Sequence, residues 1–282
     1  MNTLQNALSY LARYLNKYES EYICLKVLKM NLNKRYQLYS QSNKMLNQNE
    51  CILIENYLRA RLQTIPLEYL FSQTSFYGLE FYINSNCLIP RMESELLVDK
   101  AIEIIDSRAA KRQKTRCLDL GTGSGALIAA IKHNRPEIEA FATDLSSSSL
   151  RVSKKNFTDL NLDIFLTQCF WGEAFLPSSF DIIIANPPYV AFHELQYMSA
   201  GTVFEPFEAL FSNQNGLADI EAVVHTTSKM LKTNGVLLLE HGFKQGKLVR
   251  DMLSRAGYQA IQTINDFNGL PRICLASMST TC

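Results

Sequence analysis

The chain has 282 residues, a formal net charge of +1, 47% apolar residues and 20% charged ones. These values exclude a disordered polymer and a fibrous repeat, and leave material for about two globular domains. A balance so near neutrality also argues against bulk electrostatic attraction to nucleic acid or to an acidic membrane.

The first 75 or so residues read as helical. Leu4, Leu8, Leu11, Leu15 and Tyr18 recur at spacings of four and three, which places them on one helix face. A second apolar run covers Tyr22 to Leu32, and a third, Cys51 to Leu62, carries Ile54, Leu58 and Leu62 at helical spacing. Glycine is absent before Gly78 and the first proline is Pro66, so a small helical bundle is expected, ending between Pro66 and Phe76. Residues 1–75 hold nine Lys/Arg against five Asp/Glu, a mild positive excess that fits a solvated helix surface better than a nucleic-acid footprint.

Phe76 to Ile89 alternates around Gly78 and suggests a hairpin ended by Pro90. Ser94 to Ser107 reads as a helix, and Lys111 to Arg116 as a basic, wet loop. Strands and helices then alternate. Strands are expected at Cys117–Leu120, Ala140–Thr143, Ile164–Thr167, Asp181–Ala185, Val236–Glu240, Ala260–Ile264 and Ile273–Ala276. Helices are expected at Ala126–His133, Ser146–Phe157, Ala218–Leu231 and Gln245–Arg255. The pattern predicts an α/β fold with a mainly parallel sheet covered on both faces. The expected division is a helical domain, 1–75, followed by a hairpin linker and α/β domain, 76–282.

The seven cysteines are scattered and contain no C-x-x-C pair, so neither a disulfide framework nor a zinc site is expected. Reduced thiols suit a cytoplasmic protein. His193-Glu194 has Tyr197 where a zinc-protease helix needs a second histidine, and no metal is expected. Met1 to Tyr18 is interrupted by Gln5, Asn6, Arg13, Asn16 and Lys17 and lacks the apolar core of an export signal. The longest apolar runs are strand-length, far short of a membrane span.

Chemistry concentrates in two places. Asp119-Leu120-Gly121-Thr122-Gly123-Ser124-Gly125-Ala126 follows a predicted strand and opens a predicted helix, where glycine permits a sharp turn and close approach of a ligand. Asp144 ends the next strand and can accept both hydroxyls of a ribose, so a nucleoside-bearing cofactor is expected at the carboxyl ends of the strands. Gly121-x-Gly123-x-x-Ala126 also satisfies a dinucleotide pattern and keeps a nicotinamide dehydrogenase in play. Against that, Asp119 would repel a pyrophosphate but suits the cationic end of S-adenosylmethionine.

The second place is Asn186-Pro187-Pro188-Tyr189, directly after the apolar strand that ends at Ala185. The prolines fix φ and remove two backbone donors, Asn186 offers an acceptor oxygen, and Tyr189 offers a flat face. An incoming planar NH2 group needs such an acceptor and a free carbonyl. Hydride transfer has no use for this arrangement.

Asn-Pro-Pro-Tyr downstream of a D-L-G-T-G-S-G loop resembles class I methyltransferases acting on planar nitrogens. The chain as a whole resembles the HemK/PrmC family, the peptide chain release factor glutamine methyltransferases. The matching segments are Pro66-Leu67-Glu68-Tyr69-Leu70, Leu88-Ile89-Pro90-Arg91-Met92-Glu93-Ser94-Glu95, the glycine loop, Asn186 to Tyr189 and Phe204-Glu205-Pro206. Leu238-Leu239-Glu240-His241-Gly242 with Gln245-Gly246, and Asp266-Phe267-Asn268-Gly269-Leu270-Pro271-Arg272, complete the set.

The resemblance implies a seven-stranded methyltransferase sheet, a helical N-terminal domain that holds the release factor, and a linking hairpin. It implies methyl transfer from S-adenosylmethionine to the side-chain amide nitrogen of glutamine in the Gly-Gly-Gln motif of class 1 release factors. By motif match, Gly121, Thr122, Gly123, Ser124, Gly125, Asp144, Trp171 and Asn186 would contact the cofactor. Asn186, Pro187, Pro188 and Tyr189 would contact the glutamine, with Asn186 and Pro187 accepting its N–H groups. Two positions depart from the family pattern: Phe170 stands where an acidic residue is common, and Met92 where a second proline is usual. Trp171, the only tryptophan, also suits a core position, and Arg91 and Glu95 suit either a site wall or a salt bridge at the helix start. The resemblance implies a protein substrate, the class 1 release factors; a monomer in the cytoplasm, without membrane or direct nucleic-acid contact, is expected. Glutamine methylation of a ribosomal protein and N(6)-adenine methylation of nucleic acid are the alternative activities; a binding module without catalysis would tolerate loss of Asn186.

Overall fold

In a computed structural model, residues 2–30, 35–110 and 114–278 are described. The chain divides into two compact units, Met1–Ser72 and Gln73–Cys282.

The first unit consists of helices α1 (Leu4–Leu11), α2 (Lys17–Val27), α3 (Tyr36–Ser40), α4 (Gln48–Leu62) and α5 (Leu67–Phe71). Its core gathers Leu4, Leu11, Ile23, Leu25, Leu38, Ile54 and Leu58. The single face expected over Leu4 to Tyr18 is broken, because Asn16 starts a new helix. Its side chain accepts from Glu19 N at 2.9 Å while the Glu19 carboxylate accepts from Asn16 N at 3.3 Å. Such a reciprocal cap contributes about 1 kcal/mol and outweighs continued periodicity. The run expected to reach Leu32 ends its helix at Val27, and Leu32 lies outside the described residues.

The second unit opens with β1 (Gln73–Phe76) and β2 (Leu79–Tyr82), paired antiparallel through Tyr77-Gly78. Both turn residues have positive φ, 50° and 76°, as a tight two-residue hairpin requires. β1 begins in the polar stretch Gln73-Thr74-Ser75, ahead of the expected boundary. A 3-10 turn, Met92–Ser94, leads into α6 (Glu95–Ala109).

There follow β3 (Arg116–Leu120), α7 (Ala126–Asn134), β4 (Glu139–Asp144), α8 (Ser147–Asp159), β5 (Phe165–Gln168) and β6 (Phe180–Ala185). Short α9 (Asn213–Gly216), α10 (Ala218–Met230), β7 (Leu231–Glu240), α11 (Gly246–Arg255), β8 (Tyr258–Asn265) and β9 (Pro271–Met278) complete the unit. The strands and helices expected after Pro90 are present, with ends shifted by at most five residues, whereas the hairpin expected to run to Ile89 ends at Tyr82. Of the expected basic loop, Lys111 and Arg112 lie outside the described residues. Arg116 instead starts β3, with its guanidinium over the rings of Phe141 and Phe180.

The seven strands run in the order β5-β4-β3-β6-β7-β9-β8, parallel except where β9 pairs with β7 and β8. β6 is buried along its whole length, as a central parallel strand covered on both faces should be. Ile182 and Ile184 enter the core on one face, Ile183 and Ala185 on the other. The chain leaves β3 toward β4 and β5, then returns to place β6 on the other side of β3. Their carboxyl ends therefore diverge in connection while Leu120 and Ala185 stay paired. This is the switch point where open α/β sheets bind ligands.

Asn156 ties three elements to that point. Its Oδ1 accepts from Tyr82 N at 2.8 Å, and its Nδ2 donates to Tyr82 O at 3.0 Å and Ser124 O at 2.8 Å. It is 1% exposed, so its loss strands backbone groups with little access to water. Asn156→Leu is expected to lower stability by roughly 2–4 kcal/mol in urea unfolding; an unchanged midpoint and slope would contradict this role.

Candidate active site

The glycine loop leaves β3 at its buried carboxyl end. Gly121 takes φ 71° and passes so close to Trp171 that an added Cβ would lie 3.1 Å from the ring. Gly125, at φ 84°, would drive a Cβ to 2.4 Å from Phe157, so this glycine serves the packing of α8 and does not line the cavity. Between them Gly123 N donates to Asp144 Oδ2 at 2.9 Å, and Ser146 N donates to Asp144 Oδ1 at 2.8 Å. Burial raises the Asp144 carboxyl above its usual range, against the pull of those backbone donors.

A cavity of about 630 Å³ opens over this loop. Gly121, Thr122, Gly123, Ser124, Asp144 and Trp171 line it, and so do Asn186 and Pro188. Pro187 is buried and Tyr189 half-buried, and neither lines the cavity. Tyr189 instead donates its hydroxyl to Glu240 Oε1 at 3.1 Å, while its carbonyl accepts from Gln245 Nε2 at 3.0 Å. Burial and the adjacent Glu240 push its phenol well above the ordinary range.

Asn186 donates from Nδ2 to Ser94 Oγ at 3.1 Å, and Ser94 donates to Glu240 Oε2 at 2.6 Å. Arg91 lines the cavity and pairs with Glu205 at 2.5 Å, whose other oxygen accepts from Ile89 N at 3.1 Å. Glu95 is instead occupied by Tyr77 N at 2.7 Å. Phe192, Phe207 and Phe211 form a stacked wall, with successive centroids 5.6 and 4.6 Å apart.

A nucleoside-bearing cofactor fits what these residues leave open. Trp171 Nε1 is buried without a partner among the described residues, Gly123 has open space where a Cβ would stand, and the Asp144 carboxylate sits at the cavity wall. Phe170, in the position where an acid is common, faces the cavity half-exposed beside Trp171. Among the described residues, no group of three or more His, Cys, Asp or Glu could hold a metal, and no cysteine forms a disulfide.

Residues 90–213 match the methyltransferase small domain family. A release factor glutamine methyltransferase from Shewanella oneidensis is 33% identical over 245 residues, covering 86% of this chain and 83% of the relative. One from Neisseria gonorrhoeae is 32% identical, covering 94% and 91%. The chain belongs to the release factor glutamine methyltransferase family. A methyltransferase from Pyrococcus furiosus shares the fold at a TM-score of 0.55 and 15% identity, covering 79% of this chain and 99% of that one. The family and the class I methyltransferase fold together imply S-adenosylmethionine as methyl donor. No helix among the described residues is long and apolar enough to cross a membrane.

Seen within a release factor glutamine methyltransferase, several residues here have roles that no local signal marked. Ser94, the phenylalanine wall and Asn156 reach the site from distant segments. Glu240 had one: a carboxylate closing the apolar strand Val236-Leu237-Leu238-Leu239 is out of place unless something holds it.

Asp119 sits fully buried behind the loop, accepting from Thr122 Oγ1 at 2.7 Å while its Oδ1 has no hydrogen-bond partner among the described residues. Burial pushes its carboxyl up to about 7. The folded chain therefore binds more protons than the unfolded one between the ordinary carboxyl value, 3.8, and about 7, and stability falls as pH rises through that window. Asp119→Asn keeps an acceptor for Thr122 and removes the buried charge. It should be near neutral at about pH 4 and stabilise the ligand-free protein on the order of 2 kcal/mol near pH 8, read by denaturant unfolding. A variant less stable at both pH values would contradict this.

Proposed function

We propose that this enzyme methylates the side-chain amide nitrogen of glutamine in the Gly-Gly-Gln motif of class 1 peptide chain release factors, in the cytoplasm. The observation that carries the reading is the shared cavity: Asn186 lines the same cavity as Gly123 and Asp144. The relatives' activity points the same way, toward release factors rather than a ribosomal protein or an adenine base. The helical unit is the part we assign to holding the release factor.

S-adenosylmethionine, when bound, supplies a methyl group made electrophilic by its sulfonium. Gly121, Thr122, Gly123, Ser124, Asp144 and Trp171 are the residues we assign to holding it. Gly125 supports that set from beneath, through its packing on Phe157.

An amide nitrogen is a weak nucleophile because its lone pair is delocalised into the carbonyl. What the protein contributes is therefore orientation. The Asn186 oxygen would accept an N–H group of the glutamine amide and so orient its plane, whereas Pro187, buried behind the cavity wall, is left to hold the turn. Pro188 and the phenylalanine wall would exclude water around it, and Tyr189 would brace the turn from behind. Alignment of this kind can lower a barrier by several kcal/mol. The proton is lost after transfer, from a nitrogen by then cationic, so no strong base is needed beforehand.

The test is incubation of the protein and S-adenosylmethionine with a recombinant class 1 release factor, followed by mass spectrometry of the Gly-Gly-Gln peptide. One added methyl on the glutamine is expected; methylation only of ribosomal protein or nucleic acid would overturn the reading. Asn186→Ala should reduce turnover by roughly 100-fold or more while calorimetric cofactor affinity stays within a few-fold. Full activity in that variant would refute the assignment.

A further inference from the structure

Asn186 serves an incoming amide only if its oxygen, and not its nitrogen, faces the cavity. The two ends of a carboxamide are nearly the same shape, and the Asn186 backbone does not choose between them. The choice is made behind it. Ser94 Oγ lies 3.1 Å from Asn186 Nδ2 and 2.6 Å from Glu240 Oε2, and Tyr189 donates to the other oxygen, Oε1, at 3.1 Å. Ser94 is 3% and Glu240 1% exposed.

With Glu240 ionised, the proton count fixes the orientation. An ionised Glu240 has no hydrogen to give, so both hydroxyls commit theirs to it. Burial raises the Glu240 carboxyl above its usual range, and the Ser94 and Tyr189 hydroxyls and the Arg272 charge pull the other way; it is the ionised carboxylate that receives both hydroxyl donors as the structure places them. Ser94 Oγ is then left with lone pairs alone, and only the NH2 end of Asn186 can face it. The oxygen end has no partner among the described side chains and is turned away from Ser94. A flipped Asn186 would set donor against donor, both toward Ser94 and toward a substrate NH2.

We propose that Ser94 and Glu240 are positioning residues: the buried pair locks the Asn186 carboxamide with its oxygen toward the cavity. This rests on reading Asn186 as the residue that receives the glutamine amide. The same carboxylate also fixes the Tyr189 ring, so one residue at the tip of β7 organises both polar side chains of the Asn-Pro-Pro-Tyr turn.

Two readouts test it. The first needs no substrate: exchange of the Asn186 side-chain NH2 protons with water, followed by NMR in the ligand-free protein. Ser94→Ala should accelerate it by about tenfold, and Ser94→Thr should leave it slow. Unchanged exchange in Ser94→Ala would overturn the lock, whatever the natural substrate is. The second is kinetic. Ser94→Ala should lower kcat for release-factor methylation by about 10- to 100-fold, with KM and cofactor affinity within a few-fold, and Ser94→Thr should restore it. Glu240→Gln should also lower kcat, and the double variant should lose far less than the product of the single losses. A wild-type kcat in Ser94→Ala, or full additivity, would contradict the proposal. If the wild type does not methylate a release factor yet exchange responds to Ser94→Ala, the substrate assignment fails and the lock stands.

Discussion

The parallel pairing of β3 with β6 is the constraint on which the site depends. Because Leu120 and Ala185 are partners, the residues that follow them start from adjacent points at the same edge of the sheet. One strand continues into a glycine loop, the other into Asn186 and two prolines. No loop needs to close for these to meet; sheet register brings them together. Register in turn is fixed by β6, whose alternate residues fill two separate cores. A slip of one residue would exchange those faces and expose apolar side chains to the wrong neighbours.

Around this point the protein places buried polar groups that few folds tolerate. Asp119, Asn156, Glu205 and Glu240 are all nearly inaccessible, and each holds a segment that borders the cavity. Asn156 fixes the glycine loop against β2, Glu205 holds Arg91 and Ile89, and Glu240 governs Ser94 and Tyr189. Satisfied buried polar groups rigidify their surroundings, because any alternative geometry strands a donor or acceptor. Such rigidity suits a reaction in which the protein's main task is to orient a weak nucleophile. Asp119 is the exception, with one oxygen unpartnered among the described residues, and that cost is carried where the chemistry is expected.

Much of this was legible in the sequence because its signals are local. The apolar run Phe180–Ala185 and the turn residues around Gly121 to Gly125 report their own conformations, and two motifs at strand ends imply one sheet edge. The failures have physical causes. Leu4 to Tyr18 kept helical spacing across a cap whose strength lies in two hydrogen bonds, not in hydrophobicity. The start of β1 was hidden because Gln73-Thr74-Ser75 gains its strand from pairing with Phe81 and Tyr82 rather than from apolar alternation. Gly125 reads as a ligand-approach glycine but serves a ring from α8. Ser94 stands in one of the segments that carry the family resemblance, but its role could not be read there: its partners lie 146 and 92 residues away.

The central claim is that one cavity holds a methyl donor over the glycine loop and a glutamine amide against Asn186. A crystal structure with S-adenosylhomocysteine and a Gly-Gly-Gln peptide tests it most directly. The account predicts the nucleoside beside Asp144 and Trp171, and the glutamine nitrogen facing the sulfur at about 3 Å from the Asn186 oxygen. A peptide seated elsewhere, or a glutamine contacting the Asn186 nitrogen instead, would contradict it.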